Sequence, residues 1–68
     1  MMTKHRVILV DALMASIHIQ RSFHITIKPA TIRQWAARGH IRNYHGGARR
    51  YDLREVIEHA RSRGLIAE

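Results

Sequence analysis

The chain has 68 residues, with twelve Lys and Arg against five Asp and Glu, six His, no Cys and a formal net charge of +7. That length holds one small domain, because a chain of about 60 residues buries only roughly 60% of its unfolded surface. Without cysteine there are no disulfides, thiolate nucleophiles or Cys-based zinc sites, and no apolar run approaches the ~20 residues that span a bilayer. A reducing cytoplasm and no membrane partner are therefore expected.

Residues 1–6 are polar and read as a flexible N-terminus. Val7 to Val10 suits a short strand or the lead into a helix, and it lacks a signal-peptide cleavage pattern. From Asp11 to about Arg21 the pattern is helical, with Leu13, Met14 and Ile17 at i, i+1 and i+4. Phe23, Ile25 and Ile27 then alternate with His24, Thr26 and Lys28, which predicts an extended connector. Lys28-Pro29 is a helix start, since Pro fits the first turn and pushes its predecessor away from helix. A second helix is predicted over 29–38, with Gly39 as its left-handed cap.

His40 to Tyr51 reads as a hairpin with a Gly46-Gly47 tip. Asp52 opens a third helix, and Asp52-x-x-Glu55 approximates a capping box. Leu53, Val56, Ile57 and Ala60 form its inward stripe, and Gly64 ends it. The expected order is helix, turn, helix, two-stranded wing, helix, as one domain over 7–64 with a C-terminal tail at 65–68.

The acids are segregated. Asp11 and Asp52 bracket a stretch with none, which holds Arg21, Lys28, Arg33, Arg38, Arg42, Arg49 and Arg50. An Arg-rich, acid-free middle points to a polyanion as partner; the plain alternative is a basic surface that aids solubility. The second helix sharpens the choice. At about 100° per residue, Ile32, Trp35 and Ala36 share its inner side, with Ile41 joining from beyond the turn. Ala30, Gln34 and Ala37 lie opposite, with Thr31 and Arg38 along one edge and Arg33 along the other. A helix entering a major groove ~12 Å wide needs small residues where its backbone comes closest, and a Gln can pair with adenine in bidentate fashion. Arg33 and Arg38 can reach guanine or phosphate, Thr31 can meet a phosphate or a thymine methyl, and the helix N-terminus favours a phosphate.

In Gly46-Gly47-Ala48-Arg49-Arg50-Tyr51, two arginines follow a flexible tip. They can reach a phosphate run or a narrow minor groove, while Tyr51 is expected to pack on the third helix. His40 and His45 read as wing residues able to donate to phosphates. Their charge would rise below a pKa of ~6.5 and modestly tighten binding at low pH.

Pro29-Ala30-Thr31-Ile32-Arg33-Gln34-Trp35, then Ala37-Arg38-Gly39-His40-Ile41, then Gly47, Arg49-Arg50-Tyr51-Asp52 and Val56, together resemble the MerR-like winged helix-turn-helix domain. Within that group the chain is most similar to small stand-alone actinobacterial and phage proteins, including excisionases (recombination directionality factors). The resemblance spans roughly Val10 to Arg63. It implies a mainly α fold with a small β-hairpin wing, recognition-helix positions at Thr31, Arg33 and Gln34, and a wing arginine at Arg49. Two features depart from the pattern. The chain stops at Glu68, short of the long dimerising helix and effector domain of full MerR regulators, so no small-molecule effector is expected. The connector between the first two helices is also longer than the usual tight turn.

Catalysis has little support: Ser16, Ser22 and Ser62 lack an acid–base context, and the few acids fall mostly at helix starts or exposed helix positions. The His18/His24 and His40/His45 spacings set no pair neatly on one helical face, so neither a metal nor a cofactor is expected. The expected function is sequence-specific binding of double-stranded DNA in the nucleoid. Lys28, Thr31, Arg33, Gln34, Arg38, Arg42, His45, Arg49 and Arg50 are its candidate contacts. One module this small gives limited affinity, since single modules bury only about 600–1,000 Å², so cooperative self-association on DNA or an integrase/recombinase partner is expected. The excisionase or architectural role and the stand-alone transcriptional regulator both remain open, as do a packaging-terminase docking domain and a protein-interaction module that binds a host factor.

Overall fold

The computed structural model describes residues 8–44 and 49–66. In chain order these form β1 (Leu9–Val10), α1 (Ala12–Phe23), α2 (Pro29–Ala37), β2 (Tyr51–Asp52) and α3 (Leu53–Ser62). The molecule is mainly helical, with one two-stranded antiparallel sheet, a small α+β arrangement. None of the described helices is long and apolar enough to cross a membrane.

The sheet is not closed within 40–51, as a local hairpin would close it. β1 pairs with β2, with Leu9 opposite Asp52 and Val10 opposite Tyr51, so the 7–10 run supplies a strand. The segment before β2 adds a single antiparallel bridge, Asn43 to Tyr51, supported by the Tyr44 amide donating to the Arg50 carbonyl at 2.8 Å. The Gly46-Gly47 tip and His45 lie outside the described residues.

Asp11 starts α1, its carboxylate accepting from the Met14 amide at 2.8 Å, which satisfies one of the free amides of the first turn. The helix runs to Phe23 and ends at His24, a left-handed residue (φ 60°) whose amide returns to the Gln20 carbonyl. The connector is extended as its alternation predicts: Ile27 is buried, Phe23 and Ile25 are partly buried, and His24, Thr26 and Lys28 are exposed. Ser16 on α1 fixes it by donating to the Ile27 carbonyl at 2.6 Å.

Both later helices end in a Schellman closure. For α2, the Gly39 amide donates to Ala36 and the His40 amide to Trp35; for α3, Gly64 donates to Arg61 and Leu65 to Ala60. Each glycine has positive φ, 81° and 78°, a conformation that costs other residues roughly 1–2 kcal/mol. The second closure turns the chain back so that Ile66 is buried in the core, two residues past the expected end of the domain at 64.

The core joins Ala12, Ala15 and Ile19 of α1 to Ile27, Ile32, Trp35, Ile41, Tyr51, Leu53, Val56, Ala60 and Ile66, with Ala36 and Ile57 partly buried at its edge. The inward faces predicted for α2 and α3 are those observed. On α1 the apolar residues that marked the helix do not fill the core: Leu13, Met14 and Ile17 are exposed. The inner side of α1 is instead made by Ala12, Ala15 and Ile19.

Behind α2, His59 of α3 packs edge-on against Trp35 with ring centroids 4.6 Å apart, and stacks on His40 at 4.8 Å. His40 is therefore engaged with α3 rather than simply extended on the 40–51 segment. The His59 Nε2 is buried and has no hydrogen-bond partner, whereas a charged imidazole needs both nitrogens to donate. Burial, then His40, then Arg63 hold its pKa below the ordinary 6.5. A base with a lowered folded pKa binds fewer protons than in the unfolded chain. Its contribution is complete above about pH 6.5 and is lost as pH falls from there through the folded value. Thermal unfolding should thus show a midpoint that drops between pH 7 and pH 5, with a shallower drop in His59→Phe, which keeps the ring and removes the proton site. Equal slopes in the two proteins would contradict the assignment.

Candidate nucleic-acid interface

α2 presents its outer side across an open cleft of about 460 Å³ lined by Ala30, Arg33, Gln34, Ala36, Ala37, Asn43, Arg49 and Tyr51. Two arginines and an amide from the predicted set thus meet around one concavity, together with Ala30, Ala36 and Ala37. A smaller adjoining hollow of about 190 Å³ is lined by Asp11, Ala12, Leu13, Arg33, Arg49 and Tyr51. Arg33 and Arg49 border both. Ile32 and Trp35 are buried on the opposite side of α2, which orients Arg33 and Gln34 outward.

The remaining predicted residues are distributed around this pair. Lys28 is exposed at the start of α2, its carbonyl accepting from the Thr31 and Ile32 amides, and Thr31 is half-buried one turn on. No side chain caps that helix end. Arg38 is exposed at the other end. Arg42 lies outside the cleft: it borders a separate hollow with His40 and Glu55, and its guanidinium sits 5.6 Å from the centre of the Tyr44 ring. Arg50 is tied to Asp11 at 3.6 Å.

Asn43 was not singled out by the sequence, and Glu55 was expected in another role. Asn43 enters the cleft because its bridge to Tyr51 sets it beside α2; its signal was a lone amide between Arg42 and Tyr44 in a predicted strand. Glu55 holds the approach to the cleft from behind. Its carboxylate accepts from the Arg42 amide at 3.0 Å and the Tyr44 hydroxyl at 2.9 Å, and this hydrogen bond raises the Tyr44 pKa above its ordinary 10. The expected capping box is therefore not formed. Asp52 caps α3 by accepting from the Arg54 amide, while Glu55 turns to segment 42–44 instead of back to Asp52.

The acids are therefore spent on structure. Asp11 and Asp52 cap helices, Asp11 also meets Arg50, Glu55 holds 42–44, and Glu58 pairs with Arg54 at 3.2 Å. Among the described residues Lys28, Arg33, Arg38 and Arg49 form no salt bridge. Uncompensated cations at and beside α2 give a positive field there. Among those residues no three His, Asp or Glu side chains gather as a metal site would require.

Arg49 is held at φ 53°, a left-handed backbone that costs a non-glycine residue about 1 kcal/mol or more. Arg49→Gly removes that cost while adding about 0.4–1 kcal/mol of unfolded-chain entropy. Its thermal midpoint is expected within a few degrees of the parent. Arg49→Val, branched at Cβ, should lower stability by about 1–2 kcal/mol, and equal midpoints for Gly and Val would contradict the strained backbone.

No family model, curated protein or solved structure matches the chain.

Proposed function

We propose that the chain binds double-stranded DNA sequence-specifically as a winged helix-turn-helix module. α2 enters the major groove, and segment 40–51 lies as a wing on the adjacent backbone or minor groove. The observation that carries this reading is the cleft where Gln34, Arg33, Arg49 and Asn43 converge over alanines beside uncompensated cations. Ala30 and Ala37 permit close approach of the helix backbone, and Gln34 supplies the donor–acceptor pair that suits adenine. Arg33 reaches a guanine edge or a phosphate. Lys28, Thr31 and the positive end of the α2 dipole take a phosphate at the N-terminus of α2, and Arg38 and Arg49 neutralise the backbone to either side.

The MerR-like resemblance of residues 29–56 adds a role to this chemistry: an excisionase or architectural factor of a phage or mobile element, seated beside a recombinase. An architectural factor bends its site, and that deformation stores energy and positions other proteins.

Mobility-shift titrations across salt test the reading. Neutralising three to five phosphates gives a log–log slope of about −2.7 to −4.5, since each contributes about −0.9. Arg49→Gly, whose fold is expected intact, should weaken binding to all sequences and make the slope shallower by about one. Gln34→Ala should cost about 1–3 kcal/mol of discrimination at a single base position. A flat salt response, or full affinity in both Arg33→Ala and Arg49→Gly, would overturn the proposal.

A further inference from the structure

The register of the sheet creates a charge pair that the DNA reading does not use. Leu9 lies opposite Asp52 and Val10 opposite Tyr51. One step further along the same antiparallel register sets Asp11 opposite Arg50, a cross-strand position that favours opposite charges. The two do meet: Arg50 Nη1 stands 3.6 Å from Asp11 Oδ2, with both side chains 45% exposed. Both ends of the pair are held. The Arg50 carbonyl accepts from the Tyr44 amide, and the next residue is the buried Tyr51. Asp11 Oδ1 accepts from the Met14 amide at 2.8 Å, which fixes the carboxylate and leaves Oδ2 toward the arginine.

Capping does not explain the charge. Asn and Ser cap a helix about as well as Asp, and the helix dipole favours an exposed anion only modestly. Yet a carboxylate stands here, lining the hollow that Arg33 and Arg49 share. Among the described residues it is the one acid bordering either hollow beside α2. Asp52 is buried as the cap of α3, Glu55 borders a separate hollow, and Glu58 pairs with Arg54.

We infer that Asp11 is an internal competitor for DNA phosphate: its carboxylate takes the place on Arg50 that a phosphate would take, and so restrains affinity for every duplex. This rests on the DNA-binding reading and adds a contact that limits it. Carboxylate and phosphate offer an arginine the same kind of anionic oxygens, so a phosphate reaching Arg50 must displace Asp11 or sit against it. A half-exposed pair is weak, so Arg50 is held back without being locked. A phosphate drawn to Arg33 and Arg49 meets the Asp11 charge across the same hollow, least screened at low salt. The restraint acts on the sequence-independent part of binding and leaves base reading by Gln34 untouched.

The test is a double-mutant cycle on the full chain: parent, Asp11→Asn, Arg50→Ala and the double variant, titrated with a duplex of mixed sequence at low and high salt. Asp11→Asn keeps the cap and removes the charge. It is expected to bind about three- to tenfold more tightly than the parent at low salt, with a gain that shrinks as salt rises. With Arg50 already Ala, the same change should gain less than about twofold. Asp11→Ser, a second neutral cap, should repeat the gain, and thermal melts establish that each variant is folded at the assay temperature. No gain in either folded neutral variant would make the pair a structural staple alone and overturn the inference. A gain equally large without Arg50 would make Asp11 a distant charge only and overturn it too. Both results leave DNA binding by the parent standing. A parent with no salt-dependent binding would remove the DNA reading itself, and this inference with it.

Discussion

Tyr51 is the constraint on which the arrangement depends. Its ring is buried, at 1% exposure, and its backbone pairs with Val10 of β1 on one side and Asn43 on the other. One residue thus fastens the N-terminal strand and segment 41–44 to the start of α3. It also borders both hollows beside α2, so whatever fixes Tyr51 fixes the positions of Asn43, Arg49 and Arg33. In a chain this short, burial per residue is limited, and one large side chain serving three elements is an economical solution.

Around that anchor the charges are divided by task. The four described acids cap helices, hold segment 42–44 or pair with Arg50 and Arg54. They stabilise the frame and leave Lys28, Arg33, Arg38 and Arg49 uncompensated at or near the face of α2. His59 supports the back of the same helix through Trp35. Its lowered pKa and the buried, unpartnered Nε2 make that support sensitive to acid.

Much of the fold was legible because local chemistry and periodicity agreed. Pro29, Gly39 and the Ile32/Trp35 spacing delimit α2 to within a residue, and Asp52, Gly64 and the Leu53–Ala60 stripe do the same for α3. What escaped depends on contacts distant in sequence. Nothing local says that Val10 pairs with Tyr51 forty-one residues later, or that Glu55 prefers Arg42 and Tyr44 to its own helix start. α1 misled for another reason: Leu13, Met14 and Ile17 mark the helix, but they face out while Ala12, Ala15 and Ile19 pack. The candidate site was readable as far as α2 alone decides it. Gln34, Arg33 and Arg49 do meet at one cleft, whereas Arg42 and Arg50 are drawn aside by Tyr44 and Asp11, and Asn43 enters only through its bridge.

The central claim is that the outer face of α2 reads base edges. Selection from a pool of random duplexes, run in parallel on the parent and Gln34→Ala, tests it most directly. The parent is expected to enrich one short motif, and the variant to lose preference at one position of it while keeping the others. Recovery of sequences no different from the starting pool, or an unchanged motif in the variant, would contradict the account.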